Sequence, residues 1–407
     1  MSRNSQLARR YGTPTYIYDL DQVRQARRDL FAALPEAADL FYAIKANPHP
    51  EVVRATRDGE GRRCRAEISS TGELAAALEA GYVASECLYT GPGKTTAELH
   101  EVIGSGVALF SVESEGDLRR IGRVATARGV VVDCLLRINS AAARASTSIR
   151  MTGAPSQFGF DSETLAEALP RLREVPGARL TGAHFFPLSN ATDEASLVGE
   201  FQHTIAVAAD LDRQLALPLK LVDIGGGFAA PYAVPGQRPR YDKLRSELEA
   251  ALDIHFAQWR EGNPRVAVES GRYLVGSAGT LVCQVVNVKV SRGRRFVILD
   301  GGINSFGGMS GLGRLLPPAV RVAEDAAVEP ATLVGPLCTP GDVIGRDVPL
   351  PELTEGDLIE IPNAGAYGVT ASLLAFLGRP APTEVSIRGN RVVSVSRLEQ
   401  QRRYGVQ

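Results

Sequence analysis

The chain has 407 residues, of which 44% are hydrophobic and 22% charged, and its formal net charge is −1. That length accommodates two domains and a large core, and the near-neutral balance argues against a nucleic-acid or anionic-membrane partner. The five cysteines (Cys64, Cys87, Cys134, Cys283 and Cys338) form no CxxC pair, the five histidines show no metal-ligand spacing, and no signal peptide or membrane-length apolar run is evident. This pattern excludes a disulfide framework and a structural zinc site and predicts a cytoplasmic protein.

Residues 15–20 are predicted as a short strand and 21–34 as a helix. A regular alternation follows. Strands are predicted at 40–44, 63–68, 87–90, 108–112, 131–138, 179–185, 219–224 and 265–269. Helical patterns fill the gaps at 50–57, 72–81, 95–103, 113–128, 162–173, 195–215 and 241–259. Eight strands separated by helices are what a closed (β/α)8 barrel requires. An open doubly wound sheet is the rival, but it would carry a Gly-rich turn after its first strand, and here that strand runs into KANPHP. After residue 279 the pattern becomes β-rich, with strands predicted at 280–290, 295–300, 357–361, 383–388 and 391–397. This reads as a second, mostly antiparallel domain that the early strand joins. The expected division is 28–279 for the barrel, with 1–27 and 280–407 for the β-rich domain.

Chemistry is expected at the carboxyl ends of the barrel strands. The apolar run Leu40-Phe41-Tyr42-Ala43-Ile44 ends in Lys45. A lysine at the end of a buried strand is desolvated, so its amine loses its proton more easily and can attack an aldehyde. A solvated loop lysine is the plainer reading. The second strand supplies Glu67, Ser69 and Ser70, the fifth Arg137, and the sixth His184, Phe186 and Ser189. The seventh supplies Gly225-Gly226-Gly227 and the eighth Glu269, Gly271 and Arg272. Three glycines let backbone amides approach an oxyanion, although a tight turn alone explains them too. Arg272 adds a permanent charge or serves as an ion-pair partner. Glu269 can hold a pyridine nitrogen protonated, or simply pair with an arginine. Gly91-Pro92-Gly93-Lys94 lacks phosphate-loop spacing and is read as a loop. In the second domain Cys338 and Tyr367 stand out; an isolated cysteine is more often a small buried hydrophobe than a catalyst, and the tyrosine equally fits a core position.

Together the segments YAIKAN, VDIGGG, ESGRYLV, GPLC and AGAY resemble, in order, those of the fold-type III pyridoxal-phosphate decarboxylases, the ornithine, arginine and diaminopimelate decarboxylase family. The resemblance implies the alanine racemase/decarboxylase fold: a (β/α)8 barrel plus a C-terminal antiparallel β-domain. It implies pyridoxal 5′-phosphate as cofactor, with Lys45 bonded to it. Glu269 would hold the pyridine nitrogen, the glycine triplet and Tyr367 the phosphate, and Arg272 phosphate or substrate. Glu67, Arg137, His184, Phe186, Ser189 and Gly271 complete the implied cofactor set, and Arg272, Arg314 and Asp342 the substrate set. Cys338 would protonate substrate in the partner subunit's site, which implies a homodimer with shared active sites.

Two departures bear on the reaction. Phe186 stands where the family stacks a histidine on the cofactor, and an apolar ring can still stack there. Thr339 follows the cysteine where diaminopimelate decarboxylases carry a glutamate. With the segment from Asn304 to Arg314, this resembles a subgroup acting on aminoacyl groups held by carrier proteins. Diaminopimelate decarboxylase is the alternative. A racemase of this fold places an arginine at the pyridine nitrogen, which Glu269 argues against. Phe186 and Ser270 keep a turnover-deficient cofactor-binding homologue open. A cofactor-free aldolase leaves the second domain and glycine triplet unexplained.

Overall fold

The computed structural model describes residues 2–140, 149–150, 155–191, 193–306, 319–321 and 327–405. The chain opens with α1 (Arg3–Tyr11), whose first turn is capped by the Ser2 hydroxyl accepting from the Ser5 amide at 3.0 Å. Then come β1 (Thr15–Asp19) and α2 (Leu20–Ala33).

The barrel strands follow: β2 (Asp39–Ala43), β3 (Arg65–Ile68), β4 (Cys87–Tyr89), β5 (Leu109–Val112), β6 (Val132–Asn139), β7 (Ala178–Phe185), β8 (Leu221–Asp223) and β9 (Arg265–Ser270). All pair in parallel, in the order β5-β4-β3-β2-β9-β8-β7-β6, and a further β5–β6 pairing closes the ring. The intervening helices are α3 (Pro50–Arg57), α4 (Thr71–Glu79), α5 (Thr96–Gly104), α6 (Glu115–Ala127), α7 (Leu165–Arg173), α8 (Glu194–Leu215) and α9 (Leu244–His255), with a single turn, α10 (Arg272–Val275), after β9. Capping is built into the strand exits. Ser70, Thr95, Ser114 and Asp193 each accept a hydrogen bond from an amide in the first turn of the following helix, which starts those helices at fixed points.

The β-rich strands are β10 (Gly279–Ser291), β11 (Arg294–Leu299), β12 (Glu329–Val334), β13 (Val343–Leu350), β14 (Leu358–Ile361), β15 (Thr383–Arg388) and β16 (Arg391–Arg397). Their sheet runs β13-β12-β11-β10-β1-β15-β16, with β14 on β10. Its pairings are antiparallel except β1–β15 and β11–β12, which are parallel. Beyond the predicted elements the β-rich unit contains α1, β12 and β13. Pro330 within β12 and Gly345, Asp347 and Pro349 within β13 mask those strands in a propensity reading. Two compact units result: 24–229 with 239–274, and 1–23 with 230–238 and 275–407. Ala8, Ile17, Val282, Val385 and Ile387 form one core cluster of the second unit.

Candidate active site

Alternate residues of a barrel strand face its axis. Phe41, Leu88, Leu135 and Leu221, from the alternate strands β2, β4, β6 and β8, form a buried apolar cluster with Ala267 and the partly buried Leu109. This is the four-residue layer that such barrels stack. Two residues further toward the carboxyl ends, the same face turns polar: Thr90, Ser111, Arg137, Asp223 and Glu269, with Glu67 of β3 and His184 of β7. All seven are buried. The layer beneath keeps water out, so polar groups above it act on one another in a low dielectric.

Lys45 lies four residues beyond Phe41, in the turn that ends β2. Its Nζ donates to both carboxylate oxygens of Glu67, at 2.9 Å each. The expectation of a desolvated amine needs correction: the Lys45 side chain remains 42% exposed, and the facing carboxylate favours the charged form. Reaction at Nζ therefore requires a proton to move, and Glu67 is the acceptor in contact. The Thr90 hydroxyl donates to Glu67 Oε1. Glu73 accepts from the Ser69 amide at 2.6 Å, and its carboxyl is pushed up to about 7 by burial, with the Glu67 charge adding to the effect.

On the opposite strands, the Ser111 hydroxyl meets His184 Nδ1 at 2.7 Å, and His184 Nε2 lies 3.2 Å from Glu269 Oε1. Burial pushes the imidazole down, but the Glu269 charge outweighs it and His184 sits above the usual histidine range. Burial pushes Glu269 up, and His184, Lys45 and Arg137 together bring it below the usual carboxylate range. The acid thus pairs with a histidine rather than an arginine.

Asp223 starts the glycine triplet, its Oδ1 accepting from the Gly225 amide at 2.9 Å. Gly225 and Gly227 have φ of 81° and 117°, and a Cβ at Gly226 would lie 2.7 Å from the Glu269 carbonyl oxygen. Only glycine satisfies both the dihedrals and the crowding. The amides of Gly226 and Gly227 donate to no protein acceptor among the described residues, leaving two donors at the strand exit. Phe186 projects between two cations, its ring centroid 5.9 Å from Lys45 Nζ and 5.8 Å from the Arg137 guanidinium carbon. Arg137 is fixed by Glu113 at 3.0 Å and stacks on Phe158 at 4.6 Å.

Lys45, Glu67, Arg137, His184, Phe186, the glycine triplet and Glu269 are thus brought together. Gly271 packs against the lysine turn, where a Cβ would lie 2.9 Å from that of Ala46. Ser189 lies on a two-residue strand pairing with Ile149, and Arg272 opens α10. Cys338, Asp342 and Tyr367 belong to the β-rich unit. Cys338 is exposed, whereas the other four cysteines are buried. Tyr367 has φ 52° and its carbonyl accepts from the Tyr232 hydroxyl at 3.3 Å. Asp342, expected to bind substrate, is instead buried, and its carboxylate holds the amides of Ile303 and Leu337 at 2.8 and 2.7 Å. It shapes the cysteine loop. Arg314 lies outside the described residues. Sequence reading misses Thr90, Ser111, Glu113 and Asp223. Their signal is a polar residue two or four places after an inward-facing apolar one on a short barrel strand.

A lysine at the first strand's exit, an acid at the eighth's and free amides at the seventh's define a barrel enzyme built around a phosphorylated pyridine aldehyde. The residues present fit pyridoxal 5′-phosphate: Glu269 sets a buried carboxylate at the eighth strand's exit, and among the described residues the amides of Gly226 and Gly227 have no acceptor and await an anion. Residues 20–276 match the family described as "Pyridoxal-dependent decarboxylase, pyridoxal binding domain", and the chain belongs to that family. It is 31% identical over 392 residues to the L-glutamyl-[BtrI acyl-carrier protein] decarboxylase of Niallia circulans, covering 93% of this chain and 90% of that one. It is 29% identical over 400 residues to the diaminopimelate decarboxylase of Zymomonas mobilis, covering 95% and 90%. The Helicobacter pylori diaminopimelate decarboxylase structure complexed with L-lysine superposes with a TM-score of 0.80 at 27% identity, covering 97% and 95%. The chain is accordingly a pyridoxal-phosphate-dependent amino acid decarboxylase. No helix among the described residues is long and apolar enough to cross a membrane.

Proposed function

We propose that the protein removes the α-carboxylate of an L-aminoacyl group attached to a carrier protein. The observation that carries this reading is the β-rich unit's loop cluster. Cys338 is followed by Thr339, so the loop offers no fixed charge to a second ammonium or carboxylate. Arg379 Nη2 donates to the Pro336 carbonyl at 3.2 Å, and the Leu373 amide to the Ile303 carbonyl at 3.3 Å. This ties the cysteine loop to a segment exposing Leu373, Phe376 and Leu377. The exposed apolar side chains of this ledge suit a long neutral arm better than the charged distal end of free diaminopimelate. The relative acting on an L-glutamyl carrier protein supports the same reading.

The cofactor supplies an electron-poor ring that accepts the electron pair left when carbon dioxide departs. Glu67 orients Lys45 and takes its proton. Glu269, backed by His184 and Ser111, holds the ring nitrogen. The amides of Gly226 and Gly227 would hold the phosphate, and Phe186, with Arg137 beside it, would pack against the ring. Cys338 of the partner subunit delivers the proton that replaces the carboxylate, so the working unit is a homodimer.

Carbon dioxide release from free diaminopimelate, free glutamate and a glutamyl-loaded carrier protein tests the proposal. A kcat/KM at least about tenfold higher for the loaded carrier is expected, equivalent to about 1.4 kcal/mol of added transition-state binding. Equal or better turnover of free diaminopimelate would overturn the proposal in favour of lysine biosynthesis.

A further inference from the structure

We propose that Asp223 is the charge-balancing residue of the cofactor site: it carries a proton while only His184 and Glu269 share its pocket, and releases it when a cationic ring nitrogen docks on Glu269. The inference rests on the cofactor assignment above and on the geometry of three buried side chains. One ligating atom each of His184, Asp223 and Glu269 lies within 4.8 Å of the others. A His184 protonated on both nitrogens meets Ser111 Oγ with Nδ1–H and faces Glu269 Oε1 with Nε2–H. That pairs one cation with one anion. The second carboxyl has no cation of its own. Asp223 is fully buried, its Oδ1 takes the Gly225 amide, and its Oδ2 has no partner among the described residues.

An unpaired buried carboxylate is strongly unfavourable and holds a proton instead. The surrounding charges agree. Burial pushes the Asp223 carboxyl up to about 7, the charges of Glu269 and, more weakly, Glu67 push the same way, and His184 and the Gly225 amide oppose them. Lys45 and Arg137 lower Glu269, and Arg137 also acts on His184. A ring nitrogen arriving with its proton brings a second cation into a pocket that already holds two carboxyl groups. Two cations facing two carboxylates are neutral overall, so the Asp223 proton passes to solvent. Without Asp223 the imidazolium and the pyridinium would compete for Glu269 alone.

The test counts protons. The full-length chain, stripped of cofactor, is titrated with 4-deoxypyridoxine 5′-phosphate, which has the ring nitrogen and the phosphate but no aldehyde for Lys45. Binding heats are measured in Pipes and in Tris, whose ionisation heats differ. Near pH 7 the wild type is expected to release roughly half a proton more than Asp223→Asn, the difference approaching one toward pH 6 and vanishing toward pH 8. Equal release by the two proteins across that range would overturn the inference. Asn keeps the acceptor for the Gly225 amide. If Asp223→Asn nevertheless fails to fold, His184→Gln takes its place. Loss of the opposing cation should move the proton release upward in pH, and an unmoved profile would sink the idea. Failure of the folded wild type to bind the ligand at all would overturn the cofactor assignment itself, and this inference with it.

Discussion

Phe186 shows how one side chain can be read in the sequence yet gain its meaning only from its neighbours. Its aromatic face lies between Lys45 and Arg137, so the ring is held by cation–π attraction as well as by packing. Phe186→Leu preserves the apolar surface but removes the aromatic face. Aromatic contacts of this kind contribute about 0.5–1.5 kcal/mol, so cofactor affinity should fall about two- to tenfold, with the fold and the Lys45–Glu67 pair intact. A cofactor titration followed by absorbance checks this, and unchanged affinity would show that Phe186 does not touch the ring. Lys45, Glu67, His184 and Glu269 are legible in the sequence because they sit at strand exits in an otherwise apolar context. Thr90, Ser111 and Asp223 are not, because a single small polar residue within or just after a three- or four-residue strand also fits a strand end. Only ring closure fixes which way each points. The charge on Lys45 escapes the sequence for the same reason: its environment is set by Glu67, 22 residues away along the chain.

At the scale of elements, the barrel strands announce themselves because burial on both faces writes near-continuous apolar runs. Each of the eight lies within a few residues of its expected place. The strands β12 and β13 are hidden by prolines and by a bulged register between Ala331 and Val334. Within the same sheet, Tyr18 of β1 donates its hydroxyl to Glu384 of β15 at 3.0 Å. Burial pushes the Glu384 carboxyl up to about 7, only partly offset by that hydrogen bond. The folded state therefore binds this proton more tightly than the unfolded chain, whose glutamate titrates near 4.3. The stabilisation is complete below the unfolded value and is lost as pH rises through about 7. Glu384→Gln keeps an acceptor for Tyr18 and removes the titration. Thermal midpoints at about pH 5 and pH 8 should fall less between the two for the variant than for the wild type. A wild-type difference matched by the variant would exclude Glu384 as the cause.

For the whole molecule, the proposed sharing of active sites has an arithmetical signature. Lys45→Ala and Cys338→Ala should each be nearly inactive as pure homodimers. Mixed and allowed to exchange subunits, half the dimers become hybrids in which one of two sites has both residues. About a quarter of wild-type activity per site should return. No recovery, with subunit exchange verified by mass, would place the cysteine and lysine of a working site on one chain.

β1 lies between β10 and β15 in the β-rich sheet, with Thr15 opposite both Val282 and Thr383. During synthesis this segment leaves the ribosome before either neighbour exists. At about 5–20 residues per second, its last partner emerges on the order of half a minute later. In that interval the whole eight-stranded ring can close while Tyr16, Ile17 and Tyr18 wait without a sheet. A nascent chain stalled before β15 would present β1 and β10 as an open ribbon edge, the kind of surface that molecular chaperones or neighbouring nascent chains capture first.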